Sequence, residues 1–591
     1  MRIKGFGHLI QNESSHHQLK NCSVVIDGQN FFYNQYRDSK LPFVYGCESD
    51  KYAKYLRSAM SMFKRANVKC YFIFKGGHMD FYIASSKNNV NWESKDVVLP
   101  IFMKDVYKQV LDEMDMEYSI SLFEAKDDVI AFAKRNNCCI LSNDIEFSFS
   151  GLPYVNYTTI AFNQKNNAIE CKLFVLDNFL DKYNLNRDKI AIFITLTDIT
   201  IFEEFFFDNL RQDWADIERN TKLIFLLNWL ADTSVENMFI IINEYLSRTD
   251  QVGFLEEYES VRRRVLDDKT GRLCTMYLEN RNNVVINEKD PDWFEKGVAL
   301  GHVAIPYVNL YHHKKISGSW AIEGDNNEDG LRFSIDILQY AFNLLTNYEK
   351  DEFIFINKHG EPETISTENA LAMRPEYAAT VSPFENGWGI SLKNLKLFEH
   401  FVENSLAGFN FNYLQELPED VRLVVISLIY FSCKSPSNTT DNIVHSVLLS
   451  YIAVGLLSHD NNRVGQDDSP VFSEADVDAA MRTLANFFRL PRSEARDIYR
   501  DQLLHPLVQF QFCLNHLNYL NKLCGATFKP TIYHSTYNGT FVYKILFAIE
   551  YNYDGNGRQF ITQKLNRSPS VFAFYKRIYA VYKDIKNSID L

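Results

Sequence analysis

Four apolar runs alternate with three amphipathic stretches between residues 22 and 142, and this limits the possible folds more than any other feature of the chain. Residues 22–27, 68–74, 117–123 and 138–142 read as strands. Residues 52–66, 100–114 and 127–136 carry helical spacing. Strands separated by helices predict a mainly parallel α/β sheet with helices on both faces. Such sheets place ligands beyond the carboxyl ends of their strands. Asp27, Lys75, Glu124 and Asp144 all fall at or just past those ends. Residues 172–250 read mostly as helix, including 191–207 and 223–246, and the remainder reads as helical with turn-rich breaks. One small hairpin is expected, pairing 353–357 with 363–366. The expected organisation is an α/β domain over 1–180, a helical extension over 181–250 and a large, mainly α-helical region over 251–591.

Composition narrows the function classes. A chain of 591 residues, 46% apolar and 23% charged, is long enough to bury two or more cores and is not a disordered polymer. Its formal charge of −13, from 62 basic and 75 acidic residues, argues against a protein that coats nucleic acid non-specifically. The charge is uneven. Residues 1–80 hold 12 Lys/Arg against 6 Asp/Glu, whereas residues 81–150 hold 7 against 12. A basic surplus beside an acidic segment suits a phosphate-contacting surface around a metal pocket, and it equally suits an ordinary mixed surface. Arg57, Lys64 and Arg65, on one expected helix, are the candidates for phosphate or substrate contact, the alternative being a solvated helix face.

Ten cysteines without a C-x-x-C pair read as reduced thiols, with Cys138 and Cys139 in an apolar strand. His16-His17 and His312-His313 lack partners at zinc spacing. No stretch resembles a signal peptide, and the apolar runs 421–430 and 447–457 fall short of the ~18 residues that span a bilayer. The expectation is an intracellular protein of nucleus or cytoplasm with no membrane partner.

Hard cations take oxygen ligands, and hydrolysis of a phosphodiester by two metals ~4 Å apart needs several carboxylates within reach. Asp27, Glu124, Asp144 and Glu146 have that chemistry. Singly, each reads as readily as a helix cap, and Asp127 and Asp128 read as first-turn acids favoured by the helix dipole.

Several longer patterns go further. Val24-Val25-Ile26-Asp27-Gly28, then Tyr45-Gly46 with Glu48 and Asp50, then Glu124 to Phe147 without a gap, resemble the asteroid family. So do Leu226-Leu227-Asn228-Trp229-Leu230, Cys513-Leu514, Tyr519-Leu520-Asn521 and Tyr537-Asn538-Gly539. That family is related to the flap endonuclease (XPG-like) nucleases with their PIN-like domain. The resemblance implies an N-terminal PIN-like domain and structure-specific cleavage of DNA. It implies Mg²⁺ held by Asp27 and Glu124 at a first site, and by Asp144 and Glu146 at a second. Asp198 lies near the family's last acid, although the glycine-rich turn there is missing.

Two departures bear on activity. Lys75 replaces the acid expected after the second strand, and Lys126 replaces the second acid of the Glu-x-Asp/Glu motif. Asp27, Glu124, Asp144, Glu146 and Asp198 against these two lysines leave a net charge of −3. The favoured expectation is that Lys75 and Lys126 pair with Glu124 and Asp27 in place of a metal. Residues 81–117, which should form a substrate arch, are short and hold Lys87, Lys95, Lys104 and Lys108 among seven acids. Three functions follow for test. One is a nuclease scaffold with lost or weakened catalysis, needing no cofactor, that binds nucleic acid or protein. Another is an active Mg²⁺-dependent endonuclease acting on single-stranded, overhang or flap DNA. The third is a protein-interaction scaffold in a signalling or genome-maintenance complex.

Overall fold

The computed structural model describes residues 3–46, 48–78, 99–199, 219–245, 248–266, 292–318, 321, 328–367, 382–385, 387–435, 437–456, 472–490 and 500–589. By packing, the chain divides into two compact units, each assembled from separated segments. The first comprises Met1–Phe31, Ala59–Lys75 and Met116–Val285; the second comprises Phe32–Ser58, Gly76–Asp115 and Ile286–Leu591.

The first unit is built on an eight-stranded sheet of β1 (Ser15–Leu19), β2 (Ser23–Asp27), β3 (Lys69–Phe74), β4 (Glu117–Ile120), β5 (Cys139–Ser142), β6 (Tyr154–Asn156), β7 (Ala161–Asn163) and β8 (Ala168–Phe174). The order is β1-β8-β6-β5-β2-β3-β4, with β7 on β8. Strands β4, β3, β2, β5 and β6 run parallel, and β8 turns the edge antiparallel. The fold class expected from the alternation is therefore present. Val24, Val25 and Ile26 are fully buried, as are Ile140 and Leu141, because a parallel sheet is covered on both faces. Val25, Ile73 and Ile140 join a core with Phe6, Phe132 and Phe193. Phe72, pointing to the other face, packs on Phe31 from the helix Gly28–Ser39, centroids 6.2 Å apart. Cys138 and Cys139 are free, buried thiols.

The sheet differs from the expectation at its antiparallel edge. Strand β1 is Ser-His-His-Gln-Leu with only Leu19 buried, and β6 and β7 are three residues each, too short or too polar to show as apolar runs. Beyond the sheet, the helix Arg187–Thr197 is shorter than the expected 191–207, whose end lies outside the described residues. The expected helix over 223–246 is two helices, Arg219–Asp232 and Val235–Tyr245. Within 81–117, residues 81–98 with Lys87 and Lys95 lie outside the described residues, and Met103–Glu113 is helix.

The second unit is mainly helical. Glu419–Lys434 and Gly539–Asn552 bury long apolar stretches, whereas Asn438–Ser450 and Asp501–Leu523 bury asparagine and histidine side chains among their apolar ones. A small sheet accompanies them. β10 (Glu352–Ile356) and β11 (Pro362–Ser366) form the expected hairpin, to which β9 (Lys315–Ser317) adds in parallel.

Motifs far apart in the chain meet inside this unit. Asn538 caps the helix Gly539–Asn552 by accepting from the Phe541 amide at 2.8 Å. Its Nδ2 donates to Glu48 Oε2 at 3.0 Å and to Asp50 Oδ1 at 2.6 Å. Gly46 has φ +102°, and a Cβ there would lie 2.6 Å from Gln511 Oε1, so glycine is required. Asp105 is buried, with Lys108 Nζ 2.8 Å from Oδ1, and its Oδ2 accepts from the Tyr519 hydroxyl at 2.7 Å. Burial alone would raise its carboxyl, but Lys108 and Lys522 outweigh that and hold it at about 2. Among the described residues no helix is long and apolar enough to cross a membrane.

Candidate functional site

Parallel strands bring Asp27, Lys75, Glu124 and Asp144 to one edge of the sheet, beyond the ends of β2, β3, β4 and β5. Local backbone sets each side chain. Asp27 ends β2 and begins the turn into Gly28–Ser39, where its Oδ1 accepts from the Asn30 amide at 3.2 Å. Its Oδ2 accepts from the Ser142 hydroxyl, at the end of the neighbouring strand, at 2.9 Å. Burial pushes the Asp27 carboxyl up to about 6, and the nearby Asp144 adds to the rise; the two donors and Lys126 counter it in part.

After β5 the chain curls into a 3₁₀ turn, Ile145–Phe149, capped by Asp144 Oδ1 accepting from the Glu146 amide at 3.0 Å. The turn brings the Asp144 and Glu146 carboxylates to the same ammonium. Lys126 Nζ lies 3.0 Å from Asp144 Oδ2 and also bonds Glu146 Oε2. Burial would push the Lys126 ammonium down, but these two carboxylates prevail and hold it above its ordinary value. Across the edge, Lys75 Nζ donates to Glu124 Oε1 at 2.5 Å.

Both lysines are expected to pair with site carboxylates, Lys75 and Lys126 with Glu124 and Asp27, and the observed pairs differ at one of them. Lys75 takes Glu124, whereas Lys126 takes Asp144 and Glu146, and the principal partners of Asp27 are Ser142 and a backbone amide. Ser142, Asn30 and Asn143 were not among the expected site residues. Asn30 Oδ1 accepts from the Asn143 amide at 2.9 Å, tying the two strand ends together. The signal that could have found them is their place immediately after the apolar runs. Asp198 is buried at the end of Arg187–Thr197, where its amide donates to the Ile194 carbonyl.

The helix Ser49–Arg65 does not present its three cations as one phosphate-binding row. Arg57 is held by Glu113, with Nε and Nη2 at 3.0 and 2.9 Å from Oε2, and contacts His534 Nδ1. Arg65 lies over the Phe162 ring at 4.4 Å, and Lys64 is exposed.

Does this donor set fit a pair of divalent cations? Glu124, Asp144 and Glu146 each bond an ammonium, and both oxygens of Asp27 accept hydrogen bonds. Among the described residues no three His, Cys, Asp or Glu side chains are grouped to hold a metal ion. As arranged, the residues do not fit a two-metal centre.

The first unit is thus a mostly parallel α/β sheet with acids gathered at its carboxyl edge, the arrangement expected of a PIN-like domain, and the second unit is mainly helical. Residues 420–590 match the Asteroid N-terminal domain. The chain is 22% identical to the single-strand DNA endonuclease ASTE1 of Homo sapiens, across 92% of this chain and 85% of that protein. To ASTE1 of Danio rerio it is also 22% identical, across 75% of this chain and 66% of that one, just under two thirds of its length. The chain is thus related to the asteroid family. The catalytic core of Rad2 in complex with a DNA substrate aligns with 51% of this chain and 96% of that one, at 11% identity and a TM-score of 0.31. At that score the likeness carries no functional argument.

Proposed function

We propose that this chain is an asteroid-type nuclease scaffold that engages nucleic acid with cleavage lost or strongly weakened. The observation that carries this reading is Lys126, whose ammonium sits between Asp144 and Glu146, seconded by Lys75 on Glu124. An ammonium supplies one positive charge at a point where a divalent ion would supply two together with open coordination positions for water and phosphate. A cation entering beside Lys126 meets about 4 kcal/mol of repulsion per unit charge at ~4 Å and an effective dielectric near 20. The carboxylates are thereby satisfied without metal. Asp27, Glu124, Asp144, Glu146 and Asp198 remain the residues that would hold Mg²⁺ if these ion pairs opened.

A second reading has its own support. The relatives are named single-strand DNA endonucleases, so an active, Mg²⁺-dependent enzyme is the competing proposal, with single-stranded, overhang or flap DNA as substrate. Titration calorimetry with Mg²⁺ and Mn²⁺, run beside cleavage assays on those three DNA forms, decides between them. The degenerate site predicts no heat of metal binding at millimolar concentration and no cleavage. Cleavage that disappears in Asp144→Ala would overturn it.

A further inference from the structure

The helix Gly539–Asn552 carries Tyr543, Phe547 and Tyr551 four residues apart, a spacing that stacks side chains into a column. Tyr543 lies flat against Tyr45, centroids 4.1 Å apart and planes 11° apart. Phe547 and Tyr551 continue the column at 6.4 and 4.7 Å. Exposure rises along it, from 3% at Tyr543 to 37% at Phe547 and 49% at Tyr551. Two adjacent rings left this open on a core-forming helix make an apolar platform, not scattered surface hydrophobics.

Cations flank the platform. The Lys544 ammonium donates to the Arg489 carbonyl; burial lowers it most, the Glu48 carboxylate opposes that, and the charges of Lys51 and Arg489 add to the lowering. The Arg500 amide donates to the Tyr543 hydroxyl at 2.8 Å, and the Arg500 charge also acts on that hydroxyl, with Asp501 as the acid beside it. Beside the same helix lies a cleft of about 520 Å³, lined by Phe487, Tyr553 and Phe560 with the amides of Asn552, Gln559 and Gln563. Lys564 also lines it, over the Phe487 and Phe560 rings at 5.8 and 5.6 Å, as does Asp554. Ring faces take any base by stacking, carboxamides offer both donors and acceptors to a base edge, and flanking cations attract phosphates.

We infer that this face binds single-stranded DNA, with bases stacked on Phe547 and Tyr551 and one unpaired base in the adjoining cleft. The inference rests on the reading that the chain engages nucleic acid. It adds a binding surface that uses none of the sheet-edge carboxylates. Duplex DNA, whose bases are already stacked, offers the platform nothing.

Fluorescence anisotropy of a labelled oligothymidylate with the full chain tests this. The wild-type chain is expected to bind, more weakly as salt rises, and the double variant Phe547→Ala/Tyr551→Ala to lose about tenfold or more in affinity. Phe547→Tyr/Tyr551→Phe, which keeps both rings, should bind like wild type. Both positions are open to solvent, so an unchanged thermal midpoint verifies that each variant is folded. Unchanged binding by the alanine variant would overturn the inference and leave the nucleic-acid reading standing. So would equal binding of blunt duplex, or tighter binding of an oligouridylate. No binding by the wild-type chain to any of these probes would sink both.

Discussion

Carboxylates are treated differently in the two units. In the sheet unit Glu124, Asp144 and Glu146 meet lysines at an edge open to water, their side chains 52, 30 and 14% exposed. In the helical unit Asp105 and Glu48 are sunk to 3% and 1%, among tyrosine, asparagine, lysine and, for Glu48, the Thr540 amide. Water sets the energetics of each. Ion pairs in partial contact with solvent contribute up to about 1 kcal/mol, whereas breaking a buried pair costs about 3–5 kcal/mol. The edge set can therefore exchange partners cheaply, which a binding site needs. The buried set acts as architecture.

The sharpest way to break that contrast is Asp105→Ala. It strands Lys108 and Lys522 in the interior, and denaturant titration should show a loss of about 3–5 kcal/mol. A loss below about 1 kcal/mol would erase the distinction. Asn538→Ala comes next. It removes a helix cap and the amide between Glu48 and Asp50, with an expected loss of about 2–3 kcal/mol in the same measurement.

Acid should act with opposite sign on the buried histidines and on Asp27. Burial holds His516 down at about 3 and His445 at about 4, so both stay neutral in the folded state. The unfolded chain protonates near pH 6.5. Their contribution to stability is therefore whole above that pH and is lost as the pH falls toward 4 and 3, by about 2 kcal/mol per histidine at pH 5. Asp27 is raised, so its contribution runs the other way, declining as the pH climbs from about 4 to about 6. Denaturation midpoints of His516→Phe against wild type, from pH 7 to pH 4.5, should show a flatter profile for the variant, and an identical slope would refute the assignment. The smallest stability effect is expected at the edge. Lys126→Ala should cost no more than about 1 kcal/mol, yet calorimetry should now detect Mn²⁺ binding, which the proposed reading does not expect of the wild-type chain.

What could be read from the sequence follows from burial. Strands β2, β3 and β5 are covered on both faces, so Val24–Ile26, Phe72–Phe74 and Ile140–Leu141 stand out as unbroken apolar runs. Strand β1 pairs along an edge with two histidines and a glutamine exposed, and nothing in its composition marks it. The helix Gly28–Ser39 begins Gly-Gln-Asn, residues that read as a turn. At the site, Lys75 opposite Glu124 was legible because both follow neighbouring parallel strands. The choice made by Lys126 was not. It depends on the 3₁₀ turn at Ile145–Phe149, a backbone device that swings Glu146 toward Asp144, and on Ser142 occupying Asp27.

The Glu48–Asn538 contact also has a bearing on how the chain is made. Its two residues are separated by 490 positions. At about 5–20 residues per second of translation, Glu48 leaves the ribosome roughly 25–100 s before its partner exists. Throughout that interval a carboxylate destined for the interior must remain hydrated, and the segment around it cannot settle. The second unit is thus a late-closing structure, whose earliest-made piece waits on its last.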